Sequence, residues 1–344
     1  MKLKIRINKK DRSPFYKQIV EYVVAAIRAG KSAPGDVLPS MNELSDELGI
    51  SKETVKKAYA FLRDEKYVEA RQGKGFFVCN PEERPTQRVL LIFDKLSTYK
   101  EILLNSMVAR IGDNAQITIR LHNQSIDLLK YYLDECLDRF DYYVVTPHFP
   151  LDEQTQRKAV KQLMRIPNRK LIVLDHWIKG LPGNYGVVYQ DYANDTRDCL
   201  TSSLSEVRKF DRLNVVIMKS SLYHDIVSSS IRRFCDENSV PVEFHVQTSP
   251  EMVRRGELYV LLNGQLDSQL NELAKIAEKK GYEIGRDIGI ISFNDSPINE
   301  LVLGGLTTIS SDFSQMGELA AGMILDKEMS KKKCRFLMTK RATF

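Results

Sequence analysis

The sequence has no cysteine pair at metal-ligand or redox spacing. Its five cysteines, Cys79, Cys136, Cys199, Cys235 and Cys334, are scattered, odd in number and form no C-x-x-C. That argues against a disulfide framework and a zinc site, and for reduced thiols in a cytoplasmic protein. No apolar run approaches about 18 residues, so no membrane span is expected. The opening MKLKIRINKKDRSPF is charged but has no apolar h-region, so no secretory signal is expected. G-x-S-x-G, H-E-x-x-H, a Walker loop and a G-x-G-x-x-G after a strand are all missing. None of the five histidines pairs with another at ligand spacing. With no catalytic constellation, no metal site and no cofactor motif, the chain is not expected to be an enzyme.

What is there begins with an uneven charge. Residues 1–78 hold 16 Lys/Arg against 10 Asp/Glu, which is the whole of the chain's net +6, and the rest is neutral. A basic end on a neutral body suits a tethered nucleic-acid-binding module. The chain's 344 residues allow two or three domains.

The basic end contains LPSMNELSDELGISKETVKKAYAFLRDEKYVEARQGKGFFV, residues 38–78. Ser40 and Glu43 form a capping box, Gly49 suits a left-handed helix end, and Ser51 can cap a second helix. In that second helix Val55, Ala58, Tyr59 and Leu62 make the inward stripe. Two strands, 67–70 and 76–78, then flank a basic Gly-containing turn at 71–75. A helix from Pro14 to Ala29 supports the pair, burying Phe15, Ile19, Val23 and Ile27. The pattern is a winged helix-turn-helix: one helix for the major groove, one basic loop for the adjacent backbone or minor groove. The stretch resembles the GntR family of bacterial regulators, departing at Asn42, where that family usually has an arginine, and at Lys66-Tyr67, where a glycine is usual. The resemblance implies DNA contacts from Asn42, Ser51, Lys52, Thr54 and Lys56 in the helices and from Arg71, Gln72, Gly73 and Lys74 in the wing.

Residues 80–87, NPEERPTQ, are polar with two prolines and read as a linker between a head, 1–79, and a second domain, 88–344. From Arg88 on, short β-branched runs alternate with amphipathic stretches. Strands are expected at 89–93, 116–121, 142–146, 170–174, 213–218, 242–246, 258–262 and 288–293. Helices are expected at 100–111, 126–140, 154–165, 195–209, 223–238 and 266–280. Such alternation means parallel sheets covered on both faces, and eight strands in this length fit two Rossmann-like lobes with a cleft between them.

The run DIGIISFND at 287–295, followed by LTTISSDF at 306–313 and Met316-Gly317, resembles the lactose-repressor effector domain, which has the periplasmic-binding-protein fold. The Leu261–Gly264 step is similar to a turn of that family. Asn294 stands where the family usually has a sugar-binding aspartate, and an amide can still donate and accept. The strand ends supply polar groups and aromatic faces suited to a sugar: Asp94, Ser97, His148, Phe149, Trp177, Gln190, Asp191, Asn263, Asn294 and Phe313.

Hybrids of a GntR head with this sensor include regulators of the arabinose-repressor type. The resemblance implies a repressor of carbohydrate catabolism that binds operator DNA as a homodimer. Its effector would be a monosaccharide, a pentose or deoxyhexose such as arabinose or fucose. The alternative is an aminotransferase-type or non-sugar-sensing α/β domain behind the same head.

Overall fold

The structure is a computed structural model that describes residues 3–9, 11, 13–79, 87–217, 221–262 and 268–344. The chain divides into two units, Met1–Thr86 and Gln87–Phe344. In the first, α1 (Phe15–Arg28) opens after Pro14, whose fixed φ suits a helix start. It buries Ile19, Val23, Ala26 and Ile27 at spacings of three and four. Helices α2 (Met41–Leu48) and α3 (Lys52–Asp64) follow. Ser40 and Glu43 complete the capping box on α2, and Gly49 ends it at φ 62°. Ser51 caps α3, with its Oγ accepting from Thr54 N. At the end of α3, Lys66 N bonds Arg63 O and Tyr67 N bonds Leu62 O, a Schellman ending. Lys66 holds its left-handed position (φ 53°) without being glycine.

The wing is β1 (Val68–Arg71) antiparallel to β2 (Gly75–Val78). A third segment joins it, because Val37 bridges Phe77 and Leu38 N bonds Phe76 O. Leu3, Ile5 and Ile7, which alternate with Lys4 and Arg6 as a short strand at most would, form no strand, although Ile5 is buried in the head's core.

The second unit begins with β3 (Gln87–Phe93), α4 (Thr98–Ile111), β4 (Ala115–Leu121), α5 (Ile126–Cys136), β5 (Tyr142–Val145), α6 (Glu153–Leu163), β6 (Leu171–Asp175) and β7 (Gly186–Tyr189). It continues with α7 (Asp195–Thr201), α8 (Leu204–Val207), β8 (Arg212–Val216), α9 (His224–Asn238), β9 (Val242–His245), β10 (Glu257–Leu261), α10 (Ser268–Lys279), β11 (Gly289–Phe293) and β12 (Thr307–Ser311). Last come α11 (Phe313–Asp326), β13 (Lys331–Lys333) and β14 (Phe336–Thr339).

Two six-stranded sheets result, ordered β13-β7-β6-β5-β3-β4 and β14-β12-β11-β10-β8-β9. All pairings are parallel except β12–β14. In β3 alternate residues go to opposite cores: Val89, Leu91 and Phe93 to one, Leu90 and Ile92 to the other. Both faces are therefore covered, as an apolar parallel strand requires.

The chain crosses between the lobes three times: at 190–194 after β7, at Asp312 between β12 and α11, and at 334–335 between β13 and β14. Thus α11 returns to the first lobe and packs along α4. Gly317 permits that approach, since a Cβ there would collide with the carbonyl oxygen of Leu103.

Several boundaries differ from those expected. The helix expected over 195–209 is two, α7 and α8, broken at Ser202-Ser203. Strands β7, β12, β13 and β14 are additions to the expected set. Gln87, assigned by sequence to the linker, opens β3 by pairing with Ala115. The rest of the linker, Asn263-Gly264, Met218 and the first two residues of the helix expected at 266 lie outside the described residues. No helix among the described residues is long and apolar enough to cross a membrane.

Candidate functional site

On the head, the inward stripe of α3 is wholly buried, so its other face is outward by geometry. Asn42, Ser51, Lys52 and Lys56 are exposed and Thr54 is half-buried, its hydroxyl 2.7 Å from Ser51 Oγ. Lys56 pairs with Glu53 at 3.6 Å on an open surface, a contact worth little in water. Arg71, Gln72, Gly73 and Lys74 form an exposed tip. Gly73 takes φ 71°, and Arg71 lies over the Phe77 ring at 4.4 Å while its guanidinium meets Glu69 at 2.6 Å. This is a cationic ridge carried on a hairpin.

In the second unit the strand ends converge on a buried polar cluster. Lys100, from the first turn of α4, is fully buried. Its Nζ lies 3.0 Å from Asp175 Oδ2, at the end of β6, and 3.5 Å from Asp94 Oδ1, just past β3. Thr146 Oγ1 donates to Asp94 Oδ1 (3.2 Å). Gln190 Nε2 donates to Asp175 Oδ1 and, at 2.7 Å, to Tyr192 Oη, whose own hydroxyl lies 3.3 Å from Asp175 Oδ1.

His148, past β5, places Nε2 at 3.1 Å from Asp175 Oδ2 and Nδ1 at 3.7 Å from Asp94 Oδ2. The Nε2 contact is off the hydrogen-bond line, so this buried nitrogen has no aligned partner among the described residues. Tyr223, at the start of α9 in the other lobe, meets the His148 ring edge-on at 5.2 Å, lies against His176 and stacks on Tyr192 at 4.1 Å. Its buried hydroxyl likewise has no partner among the described residues.

Electrostatics fix the protonation of most of this cluster. Burial pushes both carboxyls up, but Lys100 and His148 beside them prevail and hold Asp94 below the usual carboxylate range and Asp175 well below it. Burial works against the Lys100 charge, and Asp175 and Asp94 outweigh it and raise its pKa. Burial lowers His122 to about 4, so its ring is neutral. Its Nδ1 accepts from Gln124 N and its Nε2 therefore donates to Thr146 O. Burial first, and Asp175 second, push Tyr192 and Tyr223 well above the ordinary phenol range. Among the described residues no group of three or more His, Cys, Asp or Glu is disposed to hold a metal ion.

Of the residues singled out in the sequence, Asp94, His148 and Gln190 belong to this cluster. Ser97 caps α4 and Phe313 opens α11, its ring 4.8 Å from Tyr99 beside Lys100. The others lie elsewhere. Phe149 is fully buried on His122. Trp177 packs on Tyr189 under Lys331. Asp191 is in the first crossing and accepts from Asn194. Asn294 turns the chain after β11 at φ 63°. Lys100, Asp175, Tyr192 and Tyr223 are members of the cluster that sequence reasoning misses. Asp175 carries a signal, an acidic residue closing the all-apolar run LIVL; Lys100 carries none.

A winged helix-turn-helix head joined to two Rossmann-like lobes that meet over a polar cluster is the architecture of a DNA-binding protein with a ligand-sensing domain. Residues 15–78 match the family model "Bacterial regulatory proteins, gntR family", and residues 212–339 match "Periplasmic binding protein-like domain". The chain thus joins a GntR-family helix-turn-helix segment to a periplasmic-binding-protein-like sensor domain. The second match sets aside an aminotransferase-type domain behind the head.

The mannosyl-D-glycerate transport/metabolism system repressor MngR of Escherichia coli is 35% identical over 103 residues, 28% of this chain and 42% of that protein. The repressor NagR of Bacillus subtilis is 36% identical over 78 residues, 23% of this chain and 32% of that protein. The chain thus spans less than half the length of either relative. Among solved structures, a dimeric Lac repressor aligns at TM-score 0.58 and 16% identity, covering 74% of this chain and 98% of that one. A LacI-type regulator from Alkaliphilus metalliredigens complexed with D-xylulofuranose aligns at TM-score 0.56 and 13% identity, covering 75% and 99%. At these identities the likeness is one of fold.

Proposed function

We propose that this chain is a cytoplasmic, homodimeric repressor of a carbohydrate-catabolism operon, released from its operator by a neutral monosaccharide bound between the two lobes. Its head (1–79) reads DNA through Asn42, Ser51, Lys52, Thr54 and Lys56, and its wing holds the neighbouring backbone through Arg71, Gln72, Gly73 and Lys74. Residues 80–87 link it to the sensor, 88–344. One winged helix contacts only a few base pairs, and a two-fold pair on a pseudo-palindrome doubles the site.

The observation that carries the sugar half is the pair of buried polar atoms with no aligned hydrogen bond among the described residues, Tyr223 Oη and His148 Nε2, the latter 3.1 Å from Asp175 Oδ2, on rings that meet edge-on at 5.2 Å from different lobes. The Tyr223 hydroxyl costs about 1–3 kcal/mol while unsatisfied, and a ligand hydroxyl would satisfy it and give His148 Nε2 an aligned partner. Asp94 Oδ2, whose contact with His148 Nδ1 is 3.7 Å long, is the matching acceptor. A donor and a carboxylate side by side suit adjacent hydroxyls. The buried carboxylates of Asp94 and Asp175 disfavour a phosphate beside them. The lobes must part to admit the sugar and close to complete its contacts. Ser97, which caps α4, and Phe313, against Tyr99, complete the proposed surroundings. The likeness to a repressor of a mannosyl-D-glycerate system and to a regulator complexed with D-xylulofuranose supports a carbohydrate, with a pentose or deoxyhexose as the expected size.

Calorimetry with L-arabinose, L-fucose and a pentose phosphate tests this. A free sugar is expected to bind, and Asp94→Ala to abolish its binding. Binding of the phosphate alone would overturn the site chemistry.

A further inference from the structure

The three crossings between the lobes are bonded to one another. Cys334 N donates to Tyr189 O at 2.7 Å and Asp312 N to Arg335 O at 2.8 Å. Arg335 meets the Asp312 carboxylate at 2.6 Å, and Lys333 meets Asp195 at 2.6 Å. These contacts tie the crossings to each other without touching the polar cluster. Gln190 does both. It is the first residue of the first crossing, and its amide has two ends with different partners. The NH2 end donates to Asp175 Oδ1 and Tyr192 Oη, inside the cluster. The carbonyl end accepts from Ser311 Oγ at 3.0 Å, the last residue of β12 and the neighbour of the second crossing. Tyr192 in turn stacks on Tyr223, which carries the open hydroxyl.

From this we infer that Gln190 is the positioning residue through which occupancy of the cluster sets the angle between the lobes. A primary amide suits the task because its planar group donates at one end and accepts at the other. Rearrangement of Asp175 or Tyr192 around a ligand changes what the NH2 end can bond. The rigid amide then carries that change to Ser311 and so to the second crossing. The backbone bond from Gln190 N to Asp175 O, at 3.1 Å, ties only the first crossing to the site, so a side chain that bonds at one end only would leave Ser311 and the second crossing without this link. The inference deepens the sugar-effector proposal and rests on it for the identity of the signal, although the linkage itself belongs to the free protein.

Gln190→Met keeps the length and removes all three side-chain bonds; Gln190→Glu keeps an acceptor for Ser311 and sets a carboxylate against Asp175. The full chain and both variants are compared in two measurements. The first is amide hydrogen exchange without any sugar. Segments 310–313 and 333–336 are expected to exchange at least about tenfold faster in both variants, with β3 and β5 unchanged, as for a local opening. The second is operator affinity without and with L-arabinose or L-fucose, read as the ratio of the two, alongside sugar binding by each variant. A parent ratio in the usual range of about 5–150 is expected to fall below about 2 in Gln190→Met. A merely structural residue would change the two affinities together and leave that ratio standing. Unchanged exchange at both crossings, or an undiminished ratio in a variant that still binds sugar, overturns the inference. If neither sugar binds the parent, the effector proposal is what fails, and the exchange result alone decides for or against the Gln190 link.

Discussion

Lys100 illustrates how one residue can organise a site. An ammonium with no solvent exposure is tolerated only when opposite charges surround it, and Asp94 and Asp175 supply two within 3.5 Å. Removing it leaves two buried carboxylates facing each other. Lys100→Met is therefore expected to destabilise the second unit by about 3–5 kcal/mol, the range for breaking a buried pair, measured by urea unfolding. An unchanged midpoint would mean that water, not Lys100, screens the carboxylates. This centre is poorly legible in the sequence for a physical reason. A lysine in the first turn of an amphipathic helix reads as solvated, and only the closing of β3, β6 and α4 around it reveals otherwise. At β6 the position that sequence points to, Trp177, lies two residues late. Asp175 itself ends the strand at φ 73° and turns His176 and Trp177 away from where a straight strand would send them.

At the scale of elements, the head is almost wholly legible. Its signals are local: the capping box, the left-handed Gly49 and the buried stripe of α3 each follow from a few neighbouring residues. Even the departure at Lys66 acquires a meaning, since its left-handed conformation costs roughly 1 kcal/mol where the family's usual glycine would be relaxed. In the sensor, long apolar strands are legible and short or charged ones are not. Strand β13 is Lys331-Lys332-Lys333, which no propensity marks as β; it exists because β7 offers an open edge. The break between α7 and α8 falls at Ser202-Ser203, residues that compete for backbone hydrogen bonds. The wing gives the prediction of this scale. Arg71→Ala/Lys74→Ala is expected to weaken operator binding uniformly across sequence variants. It is also expected to reduce the slope of log affinity against log salt by about 1–2, one for each phosphate that the wing no longer neutralises. An unchanged slope with an intact circular dichroism spectrum would remove the wing from the DNA interface.

For the whole molecule, a basic head is joined to a sensor whose lobes meet across His148, Tyr223 and the carboxylates of Asp94 and Asp175. The two-lobed design is legible from the alternation of strands and helices. The three crossings that hinge it are not, because each is only a few residues long and is held by contacts distant in sequence. Linkage makes the functional consequence reciprocal: a sugar that weakens operator binding must be bound more weakly by the operator complex, by the same free energy. An operator titration of the full chain, without sugar and at saturating L-arabinose or L-fucose, whichever binds, puts that coupling to the proof. Operator affinity is expected to fall at least about fivefold, corresponding to 1 kcal/mol or more of coupling. Operator affinity that stays the same while the sugar occupies its site would refute the switch.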